Sequence, residues 1–567
     1  MKQLVLETLQ KITGEKTIDV SVPEIENFGD YSTNIAFELA KKQKKPPLQV
    51  AEELKEKLSK VGIDMFERIE IAKPGFVNFW IKNSVLADVL NKIVLQPIDW
   101  GKSDEGKGRT AIVEYFQLNV AKVPHVGHLR SAVIGDALKR ILLSLGYNAV
   151  SDTHVGDWGT QFGILLLGYK SLSPEAQTKL KENPFEELEK LYVETNQRIE
   201  NNPELRDEAK QEFAKLEQGD VENRKIWMWM VDISMKKLEE SGNRLGLLKF
   251  DEHKGESAYE KDMPAIVELA LKKNLADRKS DGAVIIDLTS VGLDEAVLIK
   301  SDGASTYLLR DLATIKYRKD HWKFWKNLYL VDVRQSHHFN QVFRVAELLG
   351  FEGVGDSVHA QIGFMSLPEG PMSSRKGTTI PLNDLVDDVV GRAEQIIKEK
   401  NPNIEDKDKI AHAVGVGALK YFDLLHHRKS DIVFNREQAL AFEGNTGPYL
   451  QYTHARFKSI LRKLSDMNYM IKDLSDVVMD REERSLAAAI VRFSDEVKSV
   501  LNDWAPSVLA HYLFELAQKS NNFYHSHPVV QESDLKKRNL RILLVAAAAY
   551  TLKNGLNLLG LEAPEEM

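Results

Sequence analysis

Two histidines flank a glycine in the run His125-Val126-Gly127-His128, between a strand-like stretch and a long helical pattern. Imidazole nitrogens donate or accept hydrogen bonds according to tautomer. A helix start adds positive dipole charge and free N–H groups, which attract phosphate. The chemistry implied is binding and transformation of a nucleotide, with Gly127 letting a nucleotide ring approach the backbone. Two histidines on one helix face also fit metal ligation. That reading lacks a third ligand at clear spacing, and the chain has no cysteine. The flanks position the turn. Residues 111–118 read as a buried strand rich in β-branched and aromatic residues (Ile112, Val113, Tyr115, Phe116). Beyond it, Leu129, Val133, Ala137, Ile141 and Leu145 recur one helical turn apart, and Gly146 ends the helix.

A second run lies far downstream: Pro371-Met372-Ser373-Ser374-Arg375-Lys376-Gly377-Thr378. Two serines, two cations and a glycine in one loop suit a triphosphate, with the cations balancing charge that develops on pyrophosphate. Alone it reads equally well as a solvated basic loop. Paired with His-Val-Gly-His, it resembles the two signatures of class I aminoacyl-tRNA synthetases. Further blocks are similar to the arginyl-tRNA synthetase family: residues 113–130, Asp-Thr-His-Val-Gly-Asp-Trp-Gly-Thr-Gln-Phe at 152–162, Ser-Asp-Gly-Ala-Ser-Thr-Tyr-Leu-Leu-Arg-Asp at 301–311, Thr-Gly-Pro-Tyr-Leu-Gln-Tyr-Thr-His-Ala-Arg at 446–456, and the end at 560–567. The resemblance runs in order along essentially the whole chain.

The resemblance implies a two-step reaction. Arginine's carboxylate attacks the α-phosphate of ATP, and the terminal adenosine of tRNA(Arg) then takes the arginyl group. The work is positioning and charge stabilisation. His125 and His128 would hold the phosphates and Gly127 would lie under adenine, with Met372, Ser373, Arg375 and Lys376 as the mobile ATP-binding loop. Against the class pattern Lys-Met-Ser-Lys-Ser, Pro371 and Ser374 stand where the lysines belong. Lys122, just before the first motif, fits the substitute role, and Lys376 competes for it. A guanidinium requires a carboxylate that forms a bidentate pair. The resemblance places Asp311 and Tyr307 there, one helical turn apart, with Glu114, Asn119 and Gln335 as further arginine contacts. Read without the family, Asp311 would simply pair with Arg310 or Lys316.

For tRNA the resemblance offers Phe76 and Asn78 near the N-terminus. It also offers Tyr449, Tyr452 and Arg456, among Gln451 and His454, where aromatics stack on unpaired bases and Arg meets phosphate. Phe76, Tyr449 and Tyr452 read equally as packing residues. His154, Asp157 and Gln161 form a polar cluster that reads as a structural turn. ATP with Mg²⁺ enters as a substrate complex, and no structural metal is expected.

The elements that position these residues predict an α/β fold. A Rossmann-type parallel-sheet catalytic domain spans 98–384, with a helical insertion at about 171–250. Its later strands fall at 283–288, 296–300, 328–333 and 358–365, separated in part by helices at 307–319 and 339–349. A small α+β domain at 1–97, with a helix around 31–45, would bind the tRNA elbow. A helical connector covers 385–446, and an all-helical anticodon-binding bundle covers 447–567. A chain of 567 residues, 43% apolar, is long enough for several cores. The net charge of −8 does not exclude RNA, because phosphate contacts need only a local basic surface. No signal-peptide pattern opens the chain, and the apolar stretch 543–552 is too short for a bilayer. A soluble, cytoplasmic, monomeric protein is expected. Two other readings compete: a His-x-Gly-His nucleotidyltransferase acting on a small metabolite, and a non-catalytic RNA-binding relative.

Overall fold

The computed structural model describes residues 1–60, 64–182, 184–366, 368, 380–464 and 477–567. The second-motif residues Pro371, Met372, Ser373, Ser374, Arg375 and Lys376 lie outside the described residues. Two compact units emerge: residues 103–395 with 415–440, and residues 1–102 with 396–414 and 441–567.

The first unit is built on four parallel strands in the order Ser357–His359, Lys326–Tyr329, Thr110–Glu114, Asn148–Asp152. Strand Thr110–Glu114 is covered on both faces, so Ala111, Ile112 and Val113 are all buried, as a central parallel strand requires. The chain leaves this strand toward one edge of the sheet and leaves Lys326–Tyr329 toward the other. The crevice beyond Glu114 and Tyr329, which are register partners, is therefore the topological switch point where such sheets bind ligands.

Several expected strands are corrected. The first ends at Glu114 rather than 118: Phe116 takes φ 58° and its N–H turns to Ser131 Oγ at 2.9 Å. The stretches 283–288 and 296–300 are not in the parallel sheet. They form Val284–Ile286 and Ala296–Ile299 of a separate antiparallel sheet with Ala276–Arg278, because the chain between them is too short for a crossover helix. The stretch 358–365 splits into Ser357–His359 and Met365–Ser366, the latter pairing with Ile432–Val433.

The motif helix Leu129–Ser144 follows the predicted apolar stripe, but its polar side is buried as well. Arg130, Asp136 and Lys139 are at most 4% exposed. Arg130 Nε donates to Asp423 at 2.8 Å, and Lys139 Nζ donates to Ser151 Oγ and Asp251, both at 2.7 Å. Gly135 lets this helix touch the sheet: a Cβ there would sit 2.1 Å from Tyr115 Cγ. The insertion is helical, as Pro174–Glu182, Pro184–Asn201, Glu204–Glu217 and Val221–Arg244. Its Trp227 indole donates to the Asp157 carbonyl at 2.7 Å and packs edge-on against Trp158. Met230 is buried, whereas Met228 is exposed.

In the second unit, strands Val20–Ser21, Tyr31–Thr33, Phe76–Ile81 and Phe66–Ala72 form an antiparallel sheet. The helix expected from 31 begins instead at Ile35, after the short strand Tyr31–Thr33. It ends at Gln43, where Lys44 turns left-handed ahead of Pro46. Residues 447–567 carry the long helices Gly447–Arg462, Ser507–Ser526 and Leu535–Leu558 together with shorter ones. Buried Arg541 is balanced by Glu483 at 2.8 Å and Glu532 at 2.6 Å. No helix among the described residues is long and apolar enough to cross a membrane.

Candidate active site

The His-Val-Gly-His run forms a tight 3₁₀ turn that leads into the motif helix. Its two imidazoles close the helix start. His125 Nδ1 accepts from the Gly127 N–H and His128 Nδ1 accepts from the His125 N–H, both at 3.1 Å. A ring nitrogen that accepts from an amide carries no proton, so each ring proton lies on Nε2, leaving an N–H donor there. The free backbone donors expected at this helix start are already used. Val126 N–H donates to the Ile380 carbonyl, and His128 N–H to the His125 carbonyl. Side chains, aided by the helix dipole, must therefore supply the phosphate contacts.

The two rings lie 3.9 Å apart. Burial, then the nearby Lys122 cation, lowers the pKa of His125 to about 4. Burial, then the His125 and Lys122 charges, lowers His128 to about 3, with a backbone hydrogen bond of His125 opposing. Gly127 is required because a Cβ there would meet the His125 ring at 2.8 Å. Lys122 belongs to this end, with Nζ 5.9 Å from the Tyr192 ring centroid on the insertion helix Pro184–Asn201. On the same helix, Glu189 feels the Lys122 charge and accepts from the Val123 N–H.

A cavity of about 640 Å³ opens at the switch point and brings together Glu114, Asn119, Gly127, His128, Tyr307, Asp311 and Gln335. Lys122 and His125 are not among its lining residues and stand behind His128. Tyr307 and Asp311 sit on helix Tyr307–Trp322, which Thr306 caps by accepting from the Leu309 N–H. Arg310 pairs with Glu256 at 2.7 Å and Lys316 with Asp320, whereas Asp311 faces imidazoles. His338 Nε2 is 2.6 Å from its Oδ2, and His154 Nε2 is 3.8 Å from its Oδ1. Burial opposes charge on His154. The carboxylates of Glu114, Asp311 and Asp152, partly offset by Arg318, prevail and raise its pKa.

Glu114 is engaged within the fold. Its Oε2 is 2.6 Å from buried Arg318, which also pairs with Asp152 at 2.7 Å, and its Oε1 accepts from Gln117 at 3.1 Å. His338, Glu256 and Arg318 escaped the sequence reading, and Arg310 entered it only as a possible partner of Asp311. His338 and Arg318 carry no motif, and only the sheet order brings His338 to the cavity and Arg318 to Glu114 beside it.

The tRNA candidates divide. Phe76 is 40% exposed, edge-on to Phe37. Asn78 is buried, with Oδ1 accepting from Ser32 Oγ at 2.7 Å, so the expected base contact from its side chain is corrected: it faces inward. Gln451 and His454 are likewise interior. Gln451 Nε2 donates to the Ala413 and Glu562 carbonyls, and His454 Nδ1 meets the Ala549 carbonyl at 3.1 Å. Arg456 lies between Tyr452 and Tyr524, 4.7 and 5.1 Å from their ring centroids, and donates to Asn521 at 2.6 Å. Tyr449, half-buried, accepts from Asn521 at 3.0 Å.

Fold and site together define a Rossmann-type α/β catalytic domain whose switch-point cavity holds Asp311 and Glu256, in a chain that also carries a set of α-helices at 447–567. Residues 90–436 match the family described as tRNA synthetases class I (R), catalytic domain, residues 1–81 the arginyl tRNA synthetase N terminal domain, and residues 450–567 the DALR anticodon binding domain. The chain is 37% identical to an arginine–tRNA ligase of Halothermothrix orenii, over 99% of both chains. It is 39% identical to one of Lactococcus lactis, over 97% of this chain and 95% of that one. The solved arginyl-tRNA synthetase of Thermus thermophilus superposes with TM-score 0.84 at 26% identity, over 100% of each chain. The chain belongs to the arginyl-tRNA synthetase family of class I. The comparisons support this family and not a metabolite nucleotidyltransferase.

Proposed function

We propose that the protein charges tRNA(Arg) with arginine at the expense of ATP, using the switch-point cavity as a polarised cradle. One observation carries this reading: a single cavity is lined by Gly127 and His128 at one end and by Tyr307 and Asp311 at the other. Asp311 receives the guanidinium, since a desolvated planar cation needs a carboxylate partner, and Tyr307 flanks it. Glu114, Asn119 and Gln335 meet the remaining polar groups of the amino acid. This places the substrate carboxylate toward the His-Val-Gly-His turn.

ATP, taken as its Mg²⁺ complex, lies along that turn. The Nε2–H groups of His125 and His128 and the Lys122 ammonium stabilise charge on the phosphates. Met372, Ser373, Arg375 and Lys376 complete the phosphate site, with Lys376 as the alternative to Lys122. A carboxylate oxygen of arginine attacks the α-phosphorus, the bond to the bridging oxygen breaks, and pyrophosphate leaves. The 2′-hydroxyl of the terminal adenosine then attacks the activated carbonyl, and AMP leaves. Both steps depend on alignment.

We assign the tRNA elbow to residues 1–97 through Phe76, with Asn78 supporting the strand beneath it. Catalysis falls to 98–384, with 385–446 as connector. The anticodon arm goes to 447–567 through Tyr449, Tyr452 and Arg456, and the Arg456 guanidinium between Tyr452 and Tyr524 suits an unpaired base beside a phosphate. The protein is proposed to work as a cytoplasmic monomer. ATP–pyrophosphate exchange tests the function. Exchange is expected only with arginine and tRNA both present; exchange with another amino acid, or none under any condition, overturns the assignment.

A further inference from the structure

The carboxylate assigned to the guanidinium is already held. His338 Nε2 sits 2.6 Å from Asp311 Oδ2, and His154 Nε2 sits 3.8 Å from Oδ1. A guanidinium grips a carboxylate through two parallel N–H···O bonds, so it must take an oxygen that His338 now occupies. The two imidazoles differ in freedom. His154 belongs to the loop after strand Asn148–Asp152, has φ 39°, and its side chain is 10% exposed. His338 lies in the first turn of helix Ser336–Leu349, and its side chain is 29% exposed on the cavity rim. Of the two, His338 has the open side into which to withdraw.

The other charged groups nearby leave this pair distinct. Glu256, on the turn Glu256–Tyr259, is bound to Arg310. Arg318, from the Asp311 helix, is bound to Glu114 and Asp152 at the strand ends. Asp332 is bound to Arg334 on the turn that precedes His338. Tyr329, on the central strand, senses the Asp311 charge. Asp311 is thus the cavity carboxylate whose closest partner is an imidazole, whereas Glu114, Glu256 and Asp332 are each held by a guanidinium.

We propose that His338 is a specificity-determining residue: it occupies Asp311 in the absence of arginine, competes with the entering side chain, and gives way to a guanidinium. The proposal rests on the reading of Asp311 as the guanidinium partner. A planar, bidentate, permanently charged group displaces the imidazole. A ureido or hydroxyl group of similar length offers no charge to do so.

Isothermal titration of arginine, and of citrulline as the ureido analogue, into the full-length enzyme tests this. His338→Asn, with His338→Gln as the second variant, is expected to bind arginine several-fold more tightly than the wild type and to lose part of the discrimination against citrulline. A merely structural role would weaken binding of both ligands, and that result overturns the proposal. Asp311→Asn separates the two levels. If that variant binds arginine normally, the pocket assignment itself fails. If it binds poorly while both His338 variants match the wild-type affinity for both ligands, only the competition fails.

Discussion

The two ends of the cavity use the same side chain in opposite ways. At the His-Val-Gly-His turn, His125 and His128 stand with Lys122, and burial holds their pKa values at about 4 and about 3. At the guanidinium end, His154 lies among Glu114, Asp152 and Asp311, and its pKa is raised. Two neutral Nε2–H donors await anionic oxygens at one end, and imidazoles face a carboxylate at the other. On the proposed reading, electrostatic polarity along the crevice orients a zwitterion with a cationic side chain, so that its acid end meets the nucleotide.

The largest test removes one end alone. His128→Ala deletes a preorganised donor to the phosphates, and such deletions typically cost about 10²- to 10³-fold in kcat. Steady-state exchange kinetics should show that loss with the arginine KM little changed. A near-normal kcat would break the assignment of the turn to the transition state. The mirror test is Asp311→Ala. Leaving the guanidinium without its carboxylate should raise the arginine KM by roughly 10²-fold, as for loss of a buried charge-assisted pair, while the ATP KM stays near its wild-type value. If both constants rise together, the two ends are not separable.

The phosphate end was more legible in the sequence than the guanidinium end, and the reason is locality. His125, Gly127 and His128 interact with one another and with the helix they start, so a short stretch of sequence contains the whole device. Tyr307 and Asp311 were legible through the resemblance alone, because one turn of helix by itself would leave Asp311 a partner of Arg310 or Lys316. His338 and His154 reach Asp311 only because the sheet order brings together segments far apart in the chain. Arg130 and Lys139 look like a solvated helix face until distant Asp423 and Asp251 supply their partners, and Asp136 does so until Arg140 and the Leu248 N–H claim its carboxylate. For the same reason Asn78, Gln451 and His454 look like polar contacts for RNA. Their hydrogen bonds go to Ser32 and to backbone carbonyls from other segments, which periodicity does not reveal. The antiparallel strands Val284–Ile286 and Ala296–Ile299 have the same composition as buried parallel strands. Only the length of the connection between them distinguishes the two.

A pH profile sharpens the contrast with a smaller effect. His125 and His128 take up protons only as pH falls toward about 4 and about 3. Their Nε2–H donors therefore persist unchanged across pH 5 to 8, and the turn contributes no acid limb to kcat in that window. Single-turnover measurements at saturating arginine, ATP and tRNA check this. An acid limb that His128→Asn abolishes would show that the imidazoles titrate near neutrality and that burial does not control them.

The smallest effect separates burial from charge at the phosphate end. Burial is the larger cause of the low His125 pKa, and Lys122 the smaller. Lys122→Met removes the cation while keeping the side-chain length and its packing near Tyr192. The His125 ring should then titrate somewhat above about 4 yet still below the ordinary histidine range, as followed by the ring-proton resonances of selectively labelled histidine. A full return to the ordinary range would make Lys122, and not the closed turn, the source of the neutral imidazole. No movement at all would place the ammonium too far from the ring to act on the phosphates beside it, and would leave Lys376 as the candidate for that charge.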